Sequence, residues 1–391
     1  MNPNNNTEFK DPYKTEKKTS FAWRKPVIYG FIIVMAFISV RSSDLAAESL
    51  GINNWLMILI DWLTLVLFCA LAMILHCVGK LVFSLLAGMQ TALFTFGPVS
   101  LVRDKGLLVK KKLPPVFRFG QCIMTPKADK TQSGSAWFWY YAGGGVSNII
   151  AALLSAAVFF LSDNAVARWL AMTSFFAMAI IAMVYLIPSE ERVPNEGMTL
   201  LRLCKDPQAR IVAHNTLLMT GMEFDGVRDR DIPEELYVGA DPNGASPYCD
   251  LAVTKALHLV DCGRFSEAKQ LFDVLFFNES VRSNIVLFSE TKLNIAFCIM
   301  MLGNDFSALN DLMDEATLKY VHNSSAYSIM PLRALYAYYL IACHDTVKAE
   351  EIYTKALGLR DSCISSTSYE DEMKNIEWLR AGRTGPSPFG Q

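Results

Sequence analysis

The sequence predicts a mainly α protein: a polytopic helical membrane domain of about four spans with a small β insertion, then a soluble α-helical repeat domain. Three observations predict it. Hydrophobic residues make up 52% of the 391 residues, a high share for a purely soluble protein, and they concentrate before Pro188 in four long runs. The stretch from Thr91 to Met124 alternates apolar and polar residues. Beyond Pro247 a turn-and-alanine pattern returns at Ala268, Ala308 and Ala349, a period of about 40 residues of the kind that marks helical repeats.

The runs come first. Pro26 to Val40 is short, about 15 residues, and spans only with local thinning or help from Trp23 as an interfacial anchor. Trp55 to Met89 is longer than one simple span needs. It is charge-free to Leu75 apart from Asp61, and then carries His76 and Lys80. Trp137 to Leu161 and Trp169 to Ile187 follow. Basic residues orient these spans. The first 25 residues hold six Lys/Arg and the segment 103–136 holds eight, whereas the loops 41–54 and 162–168 hold one each, Arg41 and Arg168. The excess of positive charge on one side predicts a multi-pass protein of the cell membrane with both termini in the cytoplasm. His76 then lies near the cytoplasmic end of the second run, and Pro188 just past that of the fourth. Between them, Gly97-Pro98 and Leu113-Pro114-Pro115 break the alternating stretch into two or three short strands, a small sheet at the membrane surface.

The predicted organisation is a basic, disordered tail (1–25) held near an anionic leaflet, a membrane domain (26–237), a repeat domain (245–362) and a flexible end (380–391). The start of the chain does not read as a cleavable signal peptide. A net charge of -2 gives no reason to expect a nucleic-acid partner. Nine cysteines without a C-x-x-C pair fit reduced thiols facing the cytosol. No phosphate loop, nucleophile elbow or zinc-ribbon spacing occurs. His214, His258, His322 and His344 lack ligand spacing and are expected to be surface or packing residues.

The polar pair inside the second run carries the functional reading. A zinc-protease helix reads His-Glu-x-x-His: two histidines four apart hold the metal on one helical face, and the glutamate activates water. Here Leu75-His76-Cys77-Val78-Gly79-Lys80 keeps the first histidine and places Cys77 and Lys80 at the other two positions. Phe119-Gly120-Gln121-Cys122-Ile123-Met124-Thr125-Pro126, Tyr141-Ala142-Gly143-Gly144-Gly145-Val146-Ser147-Asn148 and Ile187-Pro188-Ser189-Glu190-Glu191-Arg192-Val193-Pro194-Asn195-Glu196-Gly197-Met198 follow. In this order, from roughly Asp61 to Tyr237, the motifs resemble the site-2 protease family of intramembrane zinc metalloproteases, especially a bacterial branch.

The resemblance implies two histidines and an aspartate as zinc ligands and a glutamate as base. Only His76 matches. Glu196 stands at the aspartate position, so His76 and Glu196 are the residual metal candidates. Cys77 is adjacent to His76 and points about 100° away from it on a helix. An ammonium at Lys80 repels a dication; a Lys80–Glu196 ion pair filling the metal position is the expected outcome. The positions His76, Cys77 and Lys80 are therefore vestigial, with no catalytic residue and no cofactor expected. Gly143, Gly144, Gly145 and Asn148 have two readings. Small residues let membrane helices approach closely and a buried Asn bonds across them; in the family, the matching Asn holds an extended substrate strand.

In the second half, Gly263-Arg264-Phe265-Ser266-Glu267-Ala268 returns as Gly303-Asn304-Asp305-Phe306-Ser307-Ala308 and, more weakly, as His344-Asp345-Thr346-Val347-Lys348-Ala349. Each follows an apolar helical stretch. The pattern resembles tetratricopeptide-type repeats, which bind proteins or peptides, although its period is longer than theirs usually is. The reading is a catalytically inactive site-2-protease-like membrane protein that binds or scaffolds a membrane peptide or partner protein without cleaving it. The groove and the repeats are its two contact regions, and the lipid bilayer is its surroundings. The alternatives are an active zinc protease with an atypical site, or the membrane anchor of a peptide-export or immunity system.

Overall fold

A computed structural model describes residues 24–113, 120–127, 135–189, 193–303, 306–383 and 387–389. The basic tail up to Trp23, with its interfacial role, lies outside the described residues. So do Pro114, Pro115, Phe119, Glu190 to Arg192, Asn304 and Asp305.

Four apolar helices form a bundle: α1 (Arg24–Leu50), α2 (Asn54–Leu86), α3 (Ala136–Leu161) and α4 (Ala165–Leu186). Two begin on asparagine caps: Asn53 Oδ1 accepts from the Leu56 amide and Asn164 Oδ1 from the Ala167 amide, satisfying amides left open at a helix start. The outer face carries exposed Leu59, Trp62, Leu63, Val66 and Phe160, an apolar surface that water does not tolerate over such an area. This is compatible with a multi-pass membrane protein.

Two boundaries differ from expectation. α1 continues well past Val40, because Arg41, Asp44 and Glu48 do not break a helix; it stops only before Gly51, whose φ is +66°. The second run is one unbroken helix of 33 residues, about 50 Å long against a hydrocarbon layer of ~30 Å, so its His76–Leu86 end reaches the rim. Near the opposite end, Asp61 is held between helices: Trp169 Nε1 donates to it at 2.5 Å and Ser43 Oγ donates to its other oxygen.

The insertion is a sheet of four strands, not two or three: β1 (Gln90–Phe96), β2 (Val99–Asp104), β3 (Leu107–Lys110) and β4 (Gln121–Thr125) in the order β3-β2-β1-β4, all antiparallel. Lys105 and Gly106 both have positive φ, the geometry of a tight two-residue hairpin. The extra strand is the Gln-Cys-x-Met segment, which pairs with β1 as Phe94↔Cys122 and Thr91↔Met124. Arg103 of β2 is buried and fixes the sheet to the next helices. It donates to Thr125 Oγ1 (2.9 Å) and Gly221 O (3.1 Å) and pairs with Asp225 (3.0 Å).

After the bundle come α5 (Glu196–Lys205) and α6 (Pro207–Phe224), then a helical half: α7 (Tyr248–Asp261), α8 (Phe265–Phe277), α9 (Glu279–Ser283), α10 (Ile285–Leu302), α11 (Leu309–Leu312), α12 (Glu315–Ser324), α13 (Met330–Ala337), α14 (Thr346–Leu357) and α15 (Ser366–Arg380). Five helices among the described residues are long and apolar enough to cross a membrane. The fifth, α10, is apolar all round because it is the core of this half: Leu293, Ala296, Phe297, Cys298 and Met300 are wholly buried.

The recurring turns are left-handed at Gly263 (φ +72°), Gly303 (+67°) and His344 (+54°). Ala268 and Ala349 are buried behind them, whereas Ala308 is exposed and its helix, α11, has only four residues. The first and third units are hairpins; the middle one is not regular.

Packing crosses the expected boundary near 237–245, where Val212, Met219, Ile232, Tyr237 and Leu251 form one apolar cluster. α15 contributes Met373, Ile376 and Leu379 to the helical core, and Phe389 is buried against Phe265 and Trp378.

At the joint between the halves, Arg228 pairs with Asp371 (2.6 Å), Arg230 with Asp261 (3.1 Å), and Lys111 with Asp104 (2.6 Å). Lys111 Nζ also donates to the Ile364 carbonyl at 3.0 Å. Burial, and then the neighbouring carboxylates of Glu223, Asp261, Glu372 and Asp371, push Asp229 up to about 8. An unfolded aspartate titrates near ~3.9. The folded chain therefore binds the extra proton between about pH 4 and pH 8, and the stability gained from it is lost as pH rises through that window. Asp229→Asn should reduce the loss of thermal stability between about pH 6 and pH 8; an unchanged slope in melting experiments would count against this assignment.

Candidate functional site at the rim of the bundle

The site is assembled by close helix approach. Gly79 of α2 faces Ser147 of α3 so tightly that a Cβ would overlap its hydroxyl, and a Cβ on Gly143 would lie 2.8 Å from Phe83 Cβ. A Cβ on Gly144 would lie 2.5 Å from the His76 ring, and one on Gly145 would overlap Leu186 of α4. These glycines remove the side chains that would hold α2, α3 and α4 apart. Asn195 then bends the chain back from α4. Its Nδ2 donates to the carbonyls of Val184 and Ile187 (both 2.8 Å), and its Oδ1 accepts from the amides of Ser189 and Met198 (both 3.0 Å). Gly197 permits the first turn of α5 to lie on the Leu186 carbonyl, where a Cβ would collide. Glu196, first residue of α5, thereby reaches α2.

Three polar side chains meet there. Lys80 Nζ donates to Glu196 Oε1 at 2.8 Å. His76 Nε2 lies 3.2 Å from Glu196 Oε2. Aromatic rings enclose the group. His76 stacks on Tyr185 with centroids 4.0 Å apart, and Lys80 Nζ sits 4.3 Å from the Tyr140 ring centre, within cation–π range. Burial alone would raise the Glu196 carboxyl; the contact with His76 and the charge of Lys80 outweigh it and hold it below its ordinary range. His76 Nδ1 is buried without a partner.

Cys77 turns toward the sheet. Its Sγ occupies the space beside Gly120, where a Cβ would lie 2.8 Å away and φ is +92°. The donors that converge are thus one imidazole, one carboxylate and one ammonium. Among the described residues no three His, Cys, Asp or Glu side chains converge in a way that suits a metal, and an ammonium fixed on the carboxylate opposes a dication. This donor set does not fit zinc.

Gly143, Gly144 and Gly145 do not line an open groove. Each is filled by a neighbour from the same bundle, and Asn148 is fully buried, with neither amide atom hydrogen-bonded. His76, Lys80 and Glu196 are brought together; Cys77 and the Gly/Asn set lie around them. Sequence reasoning missed Tyr185, and it quoted Asn195 and Gly197 within a motif without assigning them a role. Asn195 carried the one available signal, a helix-capping residue directly before Glu196. Comparison with family models, curated proteins and solved structures finds no match to this chain.

Breaking a buried ion pair from one side leaves the other charge uncompensated. Lys80→Met should therefore cost about 3 kcal/mol in detergent unfolding, and Lys80→Met with Glu196→Gln should cost less than the single change. A double variant as unstable as the sum of its singles would show that the two groups are independent.

Proposed function

We propose that the chain is a catalytically inactive site-2-protease-like membrane protein that scaffolds a membrane partner instead of cleaving it. The observation that carries this reading is the Lys80–Glu196 contact of 2.8 Å at the place where the resemblance calls for zinc. A charge pair there stabilises the same helix contacts as a metal would, without a Lewis acid or a water-activating glutamate. The basic segment 103–136 supports a cytoplasmic position for this rim and for both termini. The start of α1 lies at this rim too, where Arg24 donates to Ser189 Oγ at 2.7 Å. The sheet and the whole helical half sit at the same end, so they are the surface offered to a cytoplasmic partner. The tetratricopeptide-like reading of Ala268 and Ala349 belongs to this proposal.

A second reading is favoured by one observation. With Gly143, Gly144 and Gly145 filled from within, the bundle serves as an anchor and partner binding falls to the helical half. Asn148→Ala separates the two, since it weakens partner capture by a groove and leaves an anchor unaffected.

If the pocket descends from a zinc site, restoring the ligands should restore binding. The triple variant Cys77→Glu, Lys80→His, Glu196→Asp should hold about one zinc per chain by elemental analysis after dialysis. A folded triple variant without zinc contradicts the proposed descent.

A further inference from the structure

Outside the bundle, α7 carries a second pairing that its sequence spacing allows: His258 and Cys262 lie four apart on one helical face. Cys262 Sγ is 3.5 Å from His258 Nε2, and His258 Nδ1 is 2.6 Å from the backbone carbonyl of Asp229. A carbonyl can only accept, so Nδ1 donates to it and Nε2 is the ring nitrogen that faces the thiol. His258 is buried and Cys262 is partly exposed, so the base is fixed while the sulfur remains reachable. The Tyr237 ring packs on the imidazole with centroids 4.9 Å apart, and the residue is 4% exposed. Its buried hydroxyl has no hydrogen-bond partner. Two side chains and one backbone group have the order of an activated nucleophile: the Cys262 thiol, the His258 base, and the Asp229 carbonyl that orients the base. His258 is thus a packing residue, as expected, whose free ring nitrogen also meets a thiol.

We propose that Cys262 is a peroxide-reactive thiol with His258 as its general base. The sulfur attacks one oxygen of a small uncharged hydroperoxide; an S–O bond forms and the O–O bond breaks. The thiol proton passes to His258 Nε2 and from there to the departing hydroxide or alkoxide, giving water or an alcohol. The thiol is oxidised to a sulfenic acid and the peroxide is reduced. Burial, and then the Asp261 carboxylate, raise the Cys262 thiol above its ordinary range, so the resting thiol keeps its proton and reaction depends on transfer to His258. Cys204 and Cys343 are the exposed cysteines and serve as internal references.

The test uses the full chain in detergent with hydrogen peroxide. Sulfenic acid is trapped with a 1,3-diketone and each cysteine is quantified by peptide mass spectrometry over time. Cys262 should be trapped roughly a hundredfold faster than Cys204 and Cys343, in line with general-base assistance. His258→Gln should bring it down to their rate without changing theirs. Trapping of Cys262 no faster than that of Cys204 and Cys343 in the unmodified chain overturns the proposal without recourse to a variant. Equal trapping of Cys262 in a folded His258→Gln variant overturns the role of the base.

Discussion

The fold depends on satisfying a lysine and a glutamate at the rim of an apolar bundle. Neither charge is tolerated alone beside hydrocarbon, so Lys80 near the end of α2 and Glu196 at the start of α5 must meet. Their meeting places α5 under the bundle, and α5 leads directly into α6, to which the sheet is fixed through Arg103. The glycines at 79, 143, 144, 145 and 197 permit the close packing around this contact: each lacks a Cβ that would collide with a neighbouring element. Asn195 completes it by satisfying backbone groups where the chain reverses. A metal would impose a similar convergence through directed bonds. An ion pair imposes it through charge and burial, and the rings of Tyr140 and Tyr185 shield it.

Much of the fold was legible because the long apolar runs before Pro188 have few alternatives to helices, and their exposed apolar faces are compatible with a membrane. The ends were less legible. Arg41 and Glu48 read as a loop by charge, yet a helix leaving the hydrocarbon layer can carry charges into the interface. The helix α10 passed the same apolar test and is a buried core helix, since hydropathy alone does not distinguish lipid from protein surroundings. The fourth strand was missed because Gln121 to Thr125 is short and its partner β1 lies far earlier in the chain, with two other strands between them. Phe389 reads as part of a polar tail until its ring is seen against Phe265 and Trp378.

At the site, the meeting of Lys80 and Glu196 across 116 positions could be anticipated only through the motif order, because no local pattern links α2 to α5. Tyr185 and Gly197 were not legible: their roles are defined by what they touch, and their residue types are common in such segments. The Gly143–Asn148 set illustrates a different limit. Small residues that open a groove and small residues that close a helix interface have the same sequence, and only the side chains opposite, Phe83, His76 and Leu186, distinguish them. The pair His258 and Cys262 was visible as an i, i+4 spacing, but the carbonyl of Asp229 that fixes the ring comes from a separate segment.

Charge pairing in place of a metal is what holds this rim together in the proposed reading. The most direct measurement is the zinc content of the unmodified chain purified in detergent and dialysed, with His76→Ala as control. No stoichiometric zinc is expected in either protein. About one zinc per chain that is lost in His76→Ala would contradict the charge-pair reading and make Lys80 a group that must move aside for a metal.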